Sequence, residues 1–402
     1  MRELNQCEIK KSLRGIVDIL DKEVLSVEGV GLLKGKGGIS LLFCLYGKYM
    51  DDPYFVDRGM GILTKNIFDF IAKETKISYS LHEGLAGIGW LYEHLSREIF
   101  IEDDSNEVLQ ELDDYLVKVC KLINLSGNWD LLYGSLGIAL YFLKRVDKKP
   151  LYANLLVEYV RDLSSWAKKE GDGIKWYSAT RDYNNIEPNI SFAHGASSII
   201  AFLSKLKNKG IQDSIIDDLL ISSVNFVLSN EFIPGTYKSH FPAYSLETKY
   251  KIYHSRLGWC YGDLSIAIAL WQAATALQDI SLKNKSISIV ESTFNRKTFM
   301  ETFVADACLC HGSSGIALMY IRMFFETRKT VLLENACYWI RESLEYMKNS
   351  EIDGFKFWSG REEKFVINYN LLDGLTGVGL LFLSYLILDS KTQSWDECLL
   401  LS

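Results

Sequence analysis

Gly134-Ser135-Leu136-Gly137-Ile138-Ala139-Leu140-Tyr141-Phe142-Leu143 shows the pattern that decides the fold: a glycine, two variable residues, a second small residue, then an apolar run. Gly312-Ser313-Ser314-Gly315-Ile316-Ala317-Leu318-Met319-Tyr320-Ile321 is a second copy. Five more begin at Gly35, Gly84, Gly195, Gly262 and Gly374, with Gly38, Gly87, Ser198, Ser265 and Gly377 as the second small residues. Successive first glycines stand 49, 50, 61, 67, 50 and 62 residues apart. A chain of 402 residues would suggest two or three domains by length. The spacing overrides that count, because a period near fifty residues marks a repeat architecture. The reading is one domain, residues 1–402, made of seven repeats.

Each run after the motif is rich in helix formers and apolar on nearly every side, which describes an inner helix. The segments that follow, such as 151–168 and 330–348, place apolar residues at three- and four-residue spacing and read as amphipathic outer helices. Small residues one turn apart at each inner helix start permit close backbone approach. The expected fold is all-α: an α/α toroid, or double α-barrel, of seven inner and seven outer helices. A seven-bladed propeller shares the period but needs short alternating strands and frequent turns. Long helical runs broken by only five prolines disfavour it, and an open solenoid is the remaining alternative.

Hydrophobic residues make up 48% and charged residues 24%, which excludes a disordered chain. Forty-four basic against fifty-one acidic residues give a net charge of −7, the wrong sign for a nucleic-acid groove. The start lacks a basic segment followed by an apolar one, so no signal peptide is read. Residues 371–388 approach spanning length but carry Asp373 and three glycines, fitting a helix buried in protein. Eight cysteines without an export signal read as reduced, and the chain as cytoplasmic.

The repeat also serves as a ruler. Immediately before the first glycine stand Lys34, Glu83, Tyr133, His194, Tyr261, His311 and Asp373. Two before it stand Leu33, His82, Leu132, Ala193, Cys260, Cys310 and Leu372. Four before it stand Gly31, Ser80, Asp130, Ser191, Gly258, Cys308 and Asn370. Equivalent positions share one level, so polar groups gather at the helix starts. Cys260 and Cys310 share a register in adjacent repeats, and His311 follows Cys310. Two thiolates and an imidazole are a three-ligand zinc set that leaves the fourth position open, as catalytic sites do. Cys44, Cys120 and Cys337 lie in helical runs and read as core. Cys308, two residues off the shared register, reads as packing. His194 and Asp130 continue the polar sector, the plainer readings being a hydrogen-bonded histidine and a helix-capping aspartate. Arg256 and Tyr261 flank Cys260; a surface ion pair and a wall residue are their plainer roles.

Trp259-Cys260-Tyr261-Gly262, Cys310-His311-Gly312 and Ala193-His194-Gly195 resemble the LanC-like family of lanthionine cyclases. The resemblance covers almost the whole chain, whose length is similar to stand-alone cyclases of class I lanthipeptide (lantibiotic) pathways. It implies one Zn²⁺ on Cys260, Cys310 and His311, with His194, Asp130, Arg256 and Tyr261 as site residues. It implies addition of peptide cysteine thiolates to dehydroalanine or dehydrobutyrine in a dehydrated precursor with its leader, closing thioether rings. His194 would protonate the enolate, Asp130 would orient or assist it, and Arg256 would stabilise the developing charge. Implied partners are a dehydratase and an ABC exporter in a membrane-associated complex, to which a cytoplasmic enzyme would be peripheral.

Ser198 and Ser265 depart from the family's second glycine, and Asp263-Leu264 from its usual small residue and proline. They are expected to keep the fold while reshaping the pocket wall. Insertions at 170–188, 231–258 and 351–369 carry Trp176, Tyr177, Tyr183, Tyr237, Phe241, Tyr244, Phe355, Phe357 and Trp358, either to grip a peptide or to pack down as a lid. Residues 172–178 and 353–359 echo one another like short strands. Other readings are a thiol-alkylating zinc transferase, for which no acidic residue shares the cysteine register, a glutathione- or thiol-peptide-binding relative, and a metal-free scaffold.

Overall fold

The computed structural model describes residues 4–73, 76–179, 186–249, 254–350, 355–360, 362–388 and 394–402. Each motif glycine opens a helix: Lys36–Met50, Leu85–Arg97, Ser135–Arg145, Ala196–Asn208, Asp263–Leu277, Ser313–Thr327 and Leu375–Ile387. Every residue of Ser135–Arg145 is buried, as an inner helix requires. No side chain caps these seven starts. Glycine is needed instead because the preceding turn folds against the cap position. At Gly262, φ is 111° and an added Cβ would lie 1.9 Å from the Arg256 carbonyl oxygen.

The outer helices are Gln6–Glu23, Pro53–Gly61 with its π-helical continuation Ile62–Phe68, Gln110–Leu125, Tyr152–Ser165, Ser214–Ser229, Ile280–Ser292 and Thr330–Ser350. One pairing differs from the expected order of inner then outer. After Leu375–Ile387 the described chain has only the 3-10 segment Ser394–Leu399. Helix Gln6–Glu23, which precedes the first motif, packs against Leu375–Ile387 instead. The last inner helix thus takes its outer partner from the N-terminal helix, which covers part of its apolar surface.

The chain divides into two compact units, Met1–Leu112 with Val304–Ser402, and Asp113–Phe303. The first holds repeats six, seven, one and two. Within it the N–H of Cys310 donates to the Leu372 carbonyl (2.9 Å), Leu372 to Leu33 (3.1 Å) and Leu33 to His82 (3.0 Å). The residue two before each glycine is thus bonded to its counterpart in the next repeat, and the seventh repeat to the first. In the second unit, which holds repeats three to five, Ala193 donates to the Cys260 carbonyl at 3.1 Å.

The first and third insertions form antiparallel pairs, Lys168–Glu170 with Gly173–Lys175, Tyr177–Ala179 with Ile186–Pro188, and Lys356–Ser359 with Lys364–Ile367, while the described part of 231–258 has no strand. The expected strand echo is present where it is described; Asp353, Gly354 and the aromatic Tyr183 lie outside the described residues. Trp176, Phe241 and Phe357 are buried, whereas Tyr177 and Tyr237 are exposed, so the insertions both pack down and present aromatic surface. Residues 371–388 contain the buried helix Leu375–Ile387, and no described helix is long and apolar enough to cross a membrane.

Candidate active site

Ahead of the inner helices the chain turns sharply, and in repeats two, three, four and six a side chain four residues before the glycine caps that turn. Ser80 Oγ accepts from the Glu83 N–H and Ser191 Oγ from the His194 N–H, both at 3.2 Å. In repeat three the same place is taken by Asp130, whose Oδ1 accepts from the Leu132 and Tyr133 N–H groups at 2.8 Å. In repeat six it is taken by Cys308, whose sulfur accepts from the His311 N–H at 3.5 Å. A carboxylate is the one cap here with a second oxygen to spare.

That oxygen makes the principal contact of the second unit. Asp130 Oδ2 lies 2.6 Å from Nδ1 of His194, one repeat further on. The aspartate is therefore both the cap of the preceding turn and the histidine's partner; it does not cap the helix, whose N-cap is Gly134. Burial lowers the His194 pKa, but the charge and hydrogen bond of Asp130, with a smaller contribution from Cys260, outweigh it and hold the imidazole above its ordinary value. The ring lies between Tyr133, stacked at 6.4 Å between centroids, and Tyr261 at 6.3 Å. Its side chain is 28% exposed, so this end of the dyad stays reachable. Burial, then Tyr244 and Cys260, raise the Tyr261 phenol, which remains protonated. Arg256 is half-buried in the turn before Gly262.

In the first unit, the ligand atoms of Cys310, His311 and Asp373 lie within 4.8 Å of one another, as do those of Asp306, Cys308 and His311. His311 Nδ1 is 4.0 Å from Asp373, and Nε2 is 3.7 Å from Asp306 Oδ2. Nε2 is buried without a hydrogen bond. The thiol of Cys310, the imidazole of His311 through Nδ1 and the carboxylate of Asp373 are donors of the kinds that fit a zinc ion. Cys260 belongs to the second unit, where it is 6% exposed. Burial first, then Asp306, push the Cys308 thiol up to about 12, in keeping with a packing and capping role. Sequence register missed Asp306 and Asp373 as neighbours of these ligands. Asp373 shared the row of His311, but Asp306 stood six before its glycine, outside the rows compared.

The three departures also find their places. Ser198 Oγ donates to the Gly195 carbonyl (2.8 Å) and Ser265 Oγ to that of Gly262 (3.1 Å), so both hydroxyls are satisfied within their own turns. Asp263 is buried and accepts from the N–H groups of His240 (2.9 Å) and Phe241 (3.0 Å) and from Arg296 Nη1 (2.9 Å). It fastens the insertion before repeat five, where the family's small residue would offer no carboxylate.

Inner–outer helix pairs behind seven glycine turns, with imidazole and thiol groups gathered at the helix starts, define an α/α repeat protein. The sequence model of the Lanthionine synthetase C-like protein family matches residues 26–400, and the chain belongs to that family. It is 22% identical to Nisin biosynthesis protein NisC of Lactococcus lactis subsp. lactis over 345 residues, covering 78% of this chain and 79% of that one. It is 21% identical to Glutathione S-transferase LANCL1 of Danio rerio over 309 residues, 75% and 72% of the two chains. Among solved structures, Nisin cyclase matches with a TM-score of 0.79 at 19% identity, covering 98% of this chain and 97% of that one. The fold class is accordingly all-α, an α/α toroid.

Proposed function

We propose that this chain is a zinc-dependent lanthionine cyclase that closes thioether rings in a dehydrated precursor peptide, working as one domain of seven repeats. The observation that carries the reading is the 2.6 Å contact between His194 and Asp130 in the unit that also contains Cys260. Cys260, Cys310 and His311 would hold Zn²⁺, whose Lewis acidity keeps a peptide thiol deprotonated near neutral pH. In the reaction an S–Cβ bond forms, the dehydro C=C π bond breaks, the thiol proton leaves and the α-carbon gains a proton. With Nδ1 engaged by Asp130, His194 has Nε2 to deliver that proton, and its raised pKa keeps the donor form populated. Asp130 fixes the tautomer and ring orientation, while Arg256 and Tyr261 border the site from the adjacent turn. Exposed Tyr177 and Tyr237 offer aromatic surface to an extended peptide.

The test uses the full chain with Zn²⁺ and a synthetic peptide carrying one cysteine and one dehydroalanine. Ring closure leaves the mass unchanged and protects the thiol from alkylation. A peptide that stays fully alkylatable would overturn the cyclase reading. The likeness to Glutathione S-transferase LANCL1 favours a second reading, in which glutathione supplies the thiol. Under it, the same peptide incubated with added glutathione would gain one glutathione in mass.

A further inference from the structure

Six residues before the motif glycine stand Gly29, Ser78, Asn128, Asn189, Arg256, Asp306 and Asn368. In repeats four, six and seven this residue closes the same turn. Its backbone carbonyl accepts from the first helical N–H (Ala196, 2.8 Å; Ser313, 3.0 Å; Leu375, 2.9 Å). Its side-chain Oδ1 accepts from the N–H two residues on (Ser191, 2.8 Å; Cys308, 2.9 Å; Asn370, 2.9 Å). Asparagine does this work at Asn189 and Asn368, so the turn does not require a carboxylate. Repeat six alone has one, and Asp306 is 2% exposed. Burying a carboxylate where an amide suffices is costly unless its second oxygen has partners. Oδ2 has two neighbours: the N–H of Trp358, in strand Lys356–Ser359, at 2.7 Å, and Nε2 of His311 at 3.7 Å. That nitrogen is the buried one without a hydrogen bond. The ring's other nitrogen lies toward Asp373, in the group that includes Cys310.

From this arrangement we infer that Asp306 is the positioning residue of the metal centre: it holds the proton of His311 on Nε2 and thereby makes Nδ1 the ligating nitrogen. The inference rests on the zinc reading above. Histidine ligands characteristically donate their second N–H to a carboxylate or carbonyl, which fixes the tautomer and raises ligand basicity. The distance of 3.7 Å closes to a hydrogen bond with a small rotation of the imidazole. Because Trp358 donates to the same oxygen, Asp306 also ties the aromatic hairpin to the ligand.

Asp306→Asn is the variant the protein itself recommends, since asparagine already closes the same turn in repeats four and seven. It should fold with an unchanged helical spectrum and hold Zn²⁺ about 10–100-fold more weakly in chelator competition. Its Co²⁺-substituted form should show shifted d–d bands. Wild-type affinity together with an unchanged Co²⁺ spectrum would overturn the inference. If the wild-type protein itself takes up no zinc, the proposed function falls as well, which separates the two failures. Should Asp306→Asn fail to fold, ¹⁵N-histidine spectra of the zinc-loaded wild-type protein decide, with His311→Gln for assignment. A proton on Nε2 with Nδ1 ligated supports the role, and ligation through Nε2 rejects it.

Discussion

Asp130 and His194 stand in successive repeats, and one carboxylate serves both. Oδ1 closes the aspartate's own turn through two backbone N–H groups, while Oδ2 meets His194 Nδ1 at 2.6 Å. Because the turn's backbone fixes the carboxylate, the imidazole that meets it is aimed by backbone geometry.

His194→Asn should therefore retain zinc and fold, yet slow ring closure by about 10²–10⁴. Asp130→Asn keeps an oxygen for the turn but loses the charge, and should slow the reaction in the same range with little change in stability. Thiol alkylation followed by mass spectrometry reads both. Full protection of the peptide by His194→Asn would remove the dyad from the mechanism.

Purified protein should carry close to one zinc per chain, lost on replacing Cys260, Cys310 or His311 with Ala. Cys308→Ser should keep the metal, because serine caps the equivalent turns at Ser80 and Ser191. Metal analysis showing Cys308 essential and Cys310 dispensable would move the site to the group containing Asp306, Cys308 and His311.

Asp113 is buried with Tyr141, Arg145 and Lys149 hydrogen-bonded to its carboxylate. Burial raises its pKa, but the bonds from Arg145 and Tyr141 prevail and hold it below the ordinary value. A depressed folded-state pKa gives stability that is present above the unfolded pKa of ~4 and is lost as pH falls through the folded value. Asp113→Asn removes the carboxylate paired with buried Arg145 and should cost about 3–5 kcal/mol at pH 7. The gap between variant and wild-type urea midpoints should narrow below about pH 4. A constant gap across that range would argue against this linkage.

Replacing Asp263 with Ala removes the acceptor shared by His240, Phe241 and Arg296. Limited proteolysis should then cut within residues 231–249 well before the wild-type protein is cut there. Equal cleavage rates would show that the insertion is held by its other contacts, such as the ion pair of Lys175 with Glu247.

Two glycines should respond oppositely to alanine. Gly262 has positive φ and a carbonyl at the Cβ position, so Gly262→Ala should lose at least about 1–3 kcal/mol. Gly15 lies within helix Gln6–Glu23 with open space around it, and Gly15→Ala should gain roughly 0.5–1 kcal/mol. Thermal unfolding of the two variants gives the comparison directly.

The seven glycines determined the helix starts by themselves, because a turn folded against the cap position admits no side chain whatever surrounds it. All-round apolar runs likewise specified inner helices, since no other placement keeps such a surface from water. That Asp130 and His194 both lie in the turns before their helices was readable for the same reason, but they occupy different rows, and their pairing came from the packing of successive repeats. Pairings that no period encodes were left to the tertiary structure. Helix Gln6–Glu23 covers Leu375–Ile387 although nearly the whole chain separates them. Asp306 looked like one more acidic residue six places before a glycine. Only packing decided that one of its oxygens would close a turn while the other faced His311 and the hairpin at Trp358. Local geometry is written in short spacings; the partner of a buried charge is settled by whatever the folded chain brings within a few ångströms of it.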